Sequence, residues 1–181
     1  MSSILKVSEI QDPTNGNTAL TVDSSGRVSM PQIPMLQAVP MFQVHASGNQ
    51  YVSDNHTIQF DTEEIDVGGN FNTSTYTFTA PVNGYYHMNA HIYVDVDSGT
   101  DALIKYQVNG SDYTGINIGS SIYSYAYNNA GGAAHEPLEL PLIMKLSADD
   151  AVTVAIQTGG TAAYYEGVRE TWWFGYLIGT Y

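Results

Sequence analysis

Side chains able to bind a metal or move a proton gather in two stretches of this 181-residue sequence. Asp95-Val96-Asp97-Ser98-Gly99-Thr100-Asp101 sets carboxylates at alternating positions beside a glycine turn, a pattern that can wrap oxygen ligands about calcium. The run lacks the closing glutamate of an EF-hand loop. Two readings stay open: a calcium ion held by Asp95, Asp97 and Asp101, or a solvated hairpin tip. His87 and His91 would share one face of a strand, roughly 13 Å apart, too far for one chain to chelate with both. Three copies of either on a three-fold axis would make a nitrogen-rich site; the plainer reading is polar interface residues. His135 is read into a loop beside Glu136, and His45 and His56 have no evident acidic partner. Nucleophilic catalysis finds no support. Gly-x-Ser-x-Gly is absent, Gly119-Ser120-Ser121 lacks a strand-to-helix elbow, and there is no cysteine. Carboxylates are plentiful, but nothing in the sequence sets two across a cleft. The tract Tyr123-Ser124-Tyr125-Ala126-Tyr127 and the pair Tyr164-Tyr165 offer rings that stack on sugars or fill an interface.

Composition narrows the classes of function. The net charge is −13, with only Lys6, Arg27, Lys105, Lys145 and Arg169 as basic side chains. They are scattered, so no basic patch can neutralise phosphates, and nucleic-acid binding is excluded. The same charge keeps the protein soluble and repels polyanionic glycans. Without cysteine, stability rests on packing and assembly. No apolar run reaches membrane-spanning length, and Met1–Ile10 lacks a basic segment leading into an apolar one, so neither membrane insertion nor a secretion signal is expected. Fourteen tyrosines within a 12% aromatic content suit pleated, half-buried surfaces and wet interfaces. This is the composition of an all-β protein.

The elements that would position these residues fall into two regions. Residues 1–40 alternate short apolar stretches with turns: Ile4–Val7, the turn Asp12–Asn17, Ala19–Val22, the turn Asp23–Gly26, then Arg27–Met30. Pro31, Pro34 and Pro40 follow and imply an extended linker. Such strands are too short to build a core and need other chains or a docking partner. From residue 41 to 181, short strands with regular turn signals predict a sandwich or barrel without helices. The predicted strands are Phe42–His45, His56–Phe60, Thr75–Ala80, Tyr85–Val94, Ala102–Val108, Ser121–Tyr127, Pro137–Leu146, Ala151–Gln157 and Thr171–Ile178. Tyr86, Met88, Ala90, Ile92 and Val94 alternate onto one face; Tyr85, His87, Asn89, His91 and Tyr93 take the other. Glu63-Glu64-Ile65-Asp66 reads as a polar turn, and Asn83-Gly84 as a tight turn with Gly84 at positive φ.

Phe60, Asp66, Phe71, Phe78, Gly84 and Tyr86 stand in an arrangement that resembles the signature of the complement C1q globular head, related to the tumour necrosis factor jelly roll. The signature also has aromatic residues two and four positions after Tyr86. Here these are Met88 and Ala90, and Ala90 leaves a gap that something else must fill. Lys105–Gly110, Leu146–Val152 and Trp173–Leu177 resemble later strands and turns of that family, in the same order, so the likeness covers about residues 41–181. It implies a jelly-roll sandwich whose members form trimers along a three-fold axis through one face of the inner sheet. Tyr85, His87, His91, Tyr93, Trp173 and Tyr176 are the expected trimer-interface residues. Trp172 and Trp173 alternate, so one of the two rings must leave the core.

Leu20-Thr21-Val22-Asp23-Ser24-Ser25-Gly26-Arg27-Val28, preceded by Ile4-Leu5-Lys6-Val7 and Ile10-Gln11-Asp12, resembles the attachment segments of phage fibre and decoration proteins, cyanophage ones among them. Leu5, Val7, Ile10, Leu20, Val22 and Val28 are then the attachment residues. The two resemblances together imply a non-enzymatic homotrimeric virion protein: a fibre or knob on the head or tail, joined to other virion proteins and in reach of a host-surface glycan or protein. A capsid decoration protein is the alternative within that class. A free glycan- or protein-binding head is the alternative outside it.

Overall fold

The computed structural model describes residues 9–11, 18–29, 39–52, 55–115, 122–129, 132, 134–159, 164–165 and 170–181. They contain strands and turns and no helix. The chain forms two compact units, Met1–Val39 and Pro40–Tyr181.

In the first unit, β1 (Glu9–Gln11), β2 (Thr18–Val22) and β3 (Val28–Ser29) make a three-stranded antiparallel sheet. The Asp-Ser-Ser-Gly-Arg turn joining β2 to β3 caps itself. Asp23 Oδ1 accepts from the Ser25 and Arg27 amides at 2.8 and 2.9 Å, and Arg27 Nε donates to Asp23 Oδ2 at 2.7 Å. These donors, the Arg27 amide first, hold the Asp23 carboxyl below its ordinary range. Gly26 supplies the positive φ (+78°) that closes the turn. Ile10 and Val28 are exposed, Leu20 and Val22 half-buried. Leu5 and Val7 lie outside the described residues.

The second unit is a sandwich of two seven-stranded antiparallel sheets. Its strands are β4 (Met41–His45), β5 (Gln50–Tyr51), β6 (His56–Thr57), β7 (Thr62–Val67), β8 (Phe71–Asn72), β9 (Thr77–Thr79) and β10 (Gly84–Val96). There follow β11 (Asp101–Val108), β12 (Ser111–Asp112), β13 (Tyr123–Tyr127), β14 (Ala134–Leu146), β15 (Ala151–Thr158), β16 (Tyr164–Tyr165) and β17 (Trp172–Thr180). In the first sheet β10 is central. β14 lines its whole length on one edge, β17 and then β16 share the other, and β4 and β7 continue outward from β17. In the second sheet β11 pairs with β15 on one side and with β13 and β12 on the other, while β9 and β6 pair with β15. This is the jelly roll expected from the sequence.

The alternation in β10 resolves as period two requires. Tyr86, Met88, Ala90, Ile92 and Val94 are fully buried between the sheets, and the intervening residues point outward. The aromatic core runs from strand to strand. Phe42 stacks on Phe71 (5.3 Å) and Phe78 (4.7 Å), and Tyr86 meets Phe78 edge-on at 5.6 Å. The Tyr86 hydroxyl donates to Val82 O at 2.8 Å, and burial raises it above its ordinary pKa. Pro137 and Pro141 are tolerated inside β14 because, among the described residues, that strand pairs on one side only, with β10.

Two local expectations need correction. Glu63–Asp66 is strand, not turn: β7 pairs antiparallel with β4, with a bulge at Glu64, in an edge position where charge discourages further pairing. Gly84 opens β10 and is absent from the positive-φ glycines. What requires glycine there is space. A Cβ would stand 2.4 Å from Leu177 Cδ1 and 2.9 Å from the Gly179 carbonyl oxygen. Asn83 has a separate task, its Oδ1 accepting the Ala148 amide (2.8 Å) of the neighbouring turn.

Asp66 also has a mechanical role. Its carboxylate accepts the Asn70 and Phe71 amides at 3.0 and 2.9 Å, closing a turn through Gly68 and Gly69, both at positive φ. Asp66→Ala leaves two part-buried donors unpaired and is expected to cost about 1–3 kcal/mol. Asp66→Asn, which keeps one acceptor oxygen, should cost less. Equal losses for the two variants in thermal or urea melts would show that the carboxylate does not hold this turn.

Candidate functional site

The residues that alternation turns away from the core of the first sheet form a continuous aromatic surface. In β17 these are Trp172, Phe174, Tyr176 and Ile178, and β10 brings His87 and His91 beside them. The rings stack in sequence. His91 lies on Trp172 (5.2 Å between centroids, 8° between planes), Trp172 on Phe174 (5.6 Å, 13°), and Phe174 on His87 (5.7 Å, 27°), with Tyr176 on the far side of His87 (5.2 Å, 30°). Tyr85 packs on Tyr181 at 5.5 Å, under the ammonium of Lys145, and Tyr93 stacks on His135 at 5.8 Å. Ile143 of β14 is 57% exposed, Ile178 53%, Tyr176 41% and Met41 38%. His87, His91, Trp172 and Phe174 are half-buried against one another, Tyr176 is the exposed end of the stack, and Ile143, Ile178 and Met41 extend an apolar outward face around it.

Four of the five histidines belong to this face. His45 approaches Glu64 of β7 (Nδ1 to Oε1, 3.6 Å), and His91 approaches Glu139 of β14 (3.1 Å). His135 lies in β14 opposite Asp95, not in a loop. The expectation that His45 lacks an acidic partner fails because Glu64 is brought alongside by strand pairing rather than by sequence proximity. His87 Nδ1, Asn89 Oδ1 and Asp95 Oδ1, all on the outward side of β10, are buried and have no hydrogen-bond partner.

Of the six residues expected at a trimer interface, Tyr85, His87, His91, Tyr93 and Tyr176 point outward here. Trp173 is the correction. It is fully buried, edge-on to Phe42 (4.8 Å) and Phe71 (5.6 Å) and beside Phe60 (5.6 Å). It lies directly opposite Ala90, so the small side chain there leaves room for the indole. The ring that leaves the core is Trp172. Sequence reasoning also missed Phe174, although its parity with Tyr176 announces it.

The three aspartates of the calcium reading do not gather. Asp95 is on the outer face of the first sheet, Asp97 is in the turn (Thr100 amide to Asp97 O, 3.1 Å), and Asp101 opens β11 on the opposite sheet. Asp101 sits over the Cα of Gly159, where a Cβ would collide with its carboxylate. Among the described residues no group of three or more histidine, aspartate or glutamate side chains is placed to hold a metal ion.

The outer face of the second sheet carries a different surface. Tyr123, Tyr125 and Tyr127 of β13 are all exposed and lie opposite Lys105, Leu103 and Asp101. Desolvation, followed by the charge of Asp101, raises the Tyr125 hydroxyl above its ordinary pKa. Lys105 is nearly buried and donates to Asp112 Oδ2 (2.9 Å) and Gln157 Oε1 (3.3 Å).

No curated protein matches the chain. Solved structures do. The globular domain of zebrafish complement 1qA protein is 15% identical with a TM-score of 0.61, over 80% of this chain and 100% of that one. The tumour necrosis factor Eiger of S. frugiperda is 12% identical with a TM-score of 0.62, over 79% of this chain and 94% of that one. Murine APRIL is 10% identical with a TM-score of 0.54, over 78% and 100%. At these identities the likeness is one of fold. The family is set by the sequence: residues 41–178 match the C1q domain, and the chain belongs to that family.

Proposed function

We propose that this protein is a non-enzymatic homotrimer that serves as a structural element of a bacteriophage particle, a short fibre or knob held by its N-terminal unit. The observation that carries the trimeric part is the stacked aromatic face of the first sheet. Its exposed Tyr176, Ile143, Ile178 and Met41 beside half-buried rings suit a surface that a second copy covers, and the meeting of copies on the inner sheet, which the family resemblance implies, supports the same reading. The virion part rests on the likeness of residues 4–28 to phage attachment segments. The self-capped Asp23–Arg27 turn and the exposed Ile10 and Val28 of that small sheet suit a segment that pairs with a docking partner.

Light scattering on a sizing column should give about three times 19.7 kDa, and Tyr176→Glu or Ile143→Glu should lower the mass. Removing residues 1–35 should leave the trimer intact and abolish its incorporation into particles that lack the native protein. A monomeric full-length chain sinks the trimer. A truncated trimer that still joins particles sinks the anchor.

The three exposed tyrosines of β13 favour a second reading, a head that also grips a surface molecule. Rings spaced along one strand face stack on sugars, and the negative charge of the chain selects neutral glycans over polyanionic ones. Loss of host-cell binding without loss of trimer mass in a Tyr123→Ala, Tyr125→Ala, Tyr127→Ala variant would establish it.

A further inference from the structure

We infer that His87 makes assembly of this protein pH-sensitive, holding the copies together while its imidazole is neutral and releasing them on protonation. The inference rests on the reading that copies meet through the outer face of the first sheet.

His87 differs from the other histidines of that face: His135 is exposed to water, and the other two have carboxylates beside them. His91 has Glu139 at 3.1 Å and His45 has Glu64 at 3.6 Å, so a proton on either is matched by a carboxylate within the chain. No ion pair joins His87 to a carboxylate among the described residues. Its neighbours are Phe174 and Tyr176 on β17, Ile143 directly opposite on β14, and Tyr85 and Asn89 on its own strand. On the flanking strands the nearest charged groups are those of β14, and they are otherwise engaged, Lys145 over the Tyr181 ring and Glu139 with His91, while β17 carries no charged residue. Its Nδ1 is already buried and unpartnered in one chain.

Neutral, the imidazole packs between aromatic rings as a flat, weakly polar group. Protonated, the ring has no acceptor at Nδ1 in either state, so its charge is solvated only through the part of the ring still open to water in the single chain, and a second copy laid over the face removes that water. Burial of the charged form therefore falls on the assembled state, and protonation favours separated chains. Three copies carry three such imidazoles. With one proton excluded from each copy on assembly, the association constant drops by up to about a thousandfold for each pH unit of acidification.

The direction discriminates. The chain is at −13, so acidification reduces the repulsion between copies and by itself strengthens assembly. Dissociation on acidification needs a specific group that overrides the general charge.

The test is the mass of the full chain by light scattering between pH 8 and pH 5, with circular dichroism on the same samples. The expected result is a trimer at pH 8 and separated, still folded chains near pH 5. His87→Phe and His87→Gln should both stay trimeric throughout, and His91→Gln should dissociate as the parent does. A parent chain that is trimeric at pH 5, a His87→Phe variant that dissociates at the parent's pH, or loss of the fold before loss of mass would each overturn the inference. A monomer already at pH 8 would instead reject the placement of the copies on this face, and this inference with it.

Discussion

Trp173→Ala is expected to remove about 3–5 kcal/mol from the stability of the jelly roll, the range for deleting a fully enclosed large aromatic ring. The indole is 0% exposed and touches rings from three other strands or loops, Phe42, Phe60 and Phe71, so no single neighbour can swing in to refill the space. Tyr106 closes the far side, its centroid 6.0 Å away and its hydroxyl tied to Leu140 O at 2.9 Å. Burial raises that phenol well above its ordinary pKa, so it stays neutral and fixed. At roughly 2–4 °C per kcal/mol for a chain of this size, the melting temperature should fall by about ten degrees. Trp173→Phe is the informative companion. The indole Nε1 has no hydrogen-bond partner, so phenylalanine keeps most of the packing and deletes an orphaned donor. If the two variants melt together, ring burial is not what the residue contributes. Trp172→Ala should leave the melting of the isolated domain nearly unchanged and act on the mass of the assembly.

Gly84→Ala should destabilise the fold by about 1–3 kcal/mol, and Gly84→Val by more, because the added carbon meets backbone. The Leu177 methyl can turn aside, but the Gly179 carbonyl at 2.9 Å belongs to the β17 ladder and cannot move without breaking its register with β10. A second substitution separates this from a conformational demand. Asparagine tolerates positive φ far better than alanine does, so if backbone geometry were the reason for glycine, Gly84→Asn would be the milder change. A steric reason makes Gly84→Asn at least as damaging as Gly84→Ala. Unfolding curves in urea for the three variants decide between them.

The sequence carried the architecture because the strongest cues in this chain are local and periodic. The buried set of β10 is a period-two pattern thirteen residues long, and no other conformation satisfies it. The same rule exposed an inconsistency at the closing strand. Trp173 and Tyr176 are an odd number of residues apart, so one face of one strand cannot present both, and the partner of Tyr176 had to be Trp172. Elsewhere the determining information was not local. β7 is acidic and of low strand propensity; what makes it a strand is the edge of β4, reached across Ala46–Asp61. The need for glycine at 84 comes from residues at the far end of the chain. The separation of Asp95 from Asp101 follows from the crossing between sheets, which a spacing pattern does not record. The candidate face was thus half legible: its β10 side from alternation, its β17 and β14 sides only once register placed them.

The pairing of β10 with β14 has a kinetic consequence. This ladder is the longest in the described molecule, and it joins Gly84 to Leu146 and Val96 to Ala134, with three of the second sheet's seven strands, β11, β12 and β13, threaded between. Chain segments so far apart must find each other before either can be covered, and the entropy of closing that loop is lost before contacts repay it. Folding on the millisecond-to-second scale is the expectation for such topology. During that interval the rings of β17 are unshielded, at the concentrations where newly made chains collide. Yield in recombinant production should therefore rise when synthesis is slowed, and the variants that gain most should be those that make the outward side of β17 more polar.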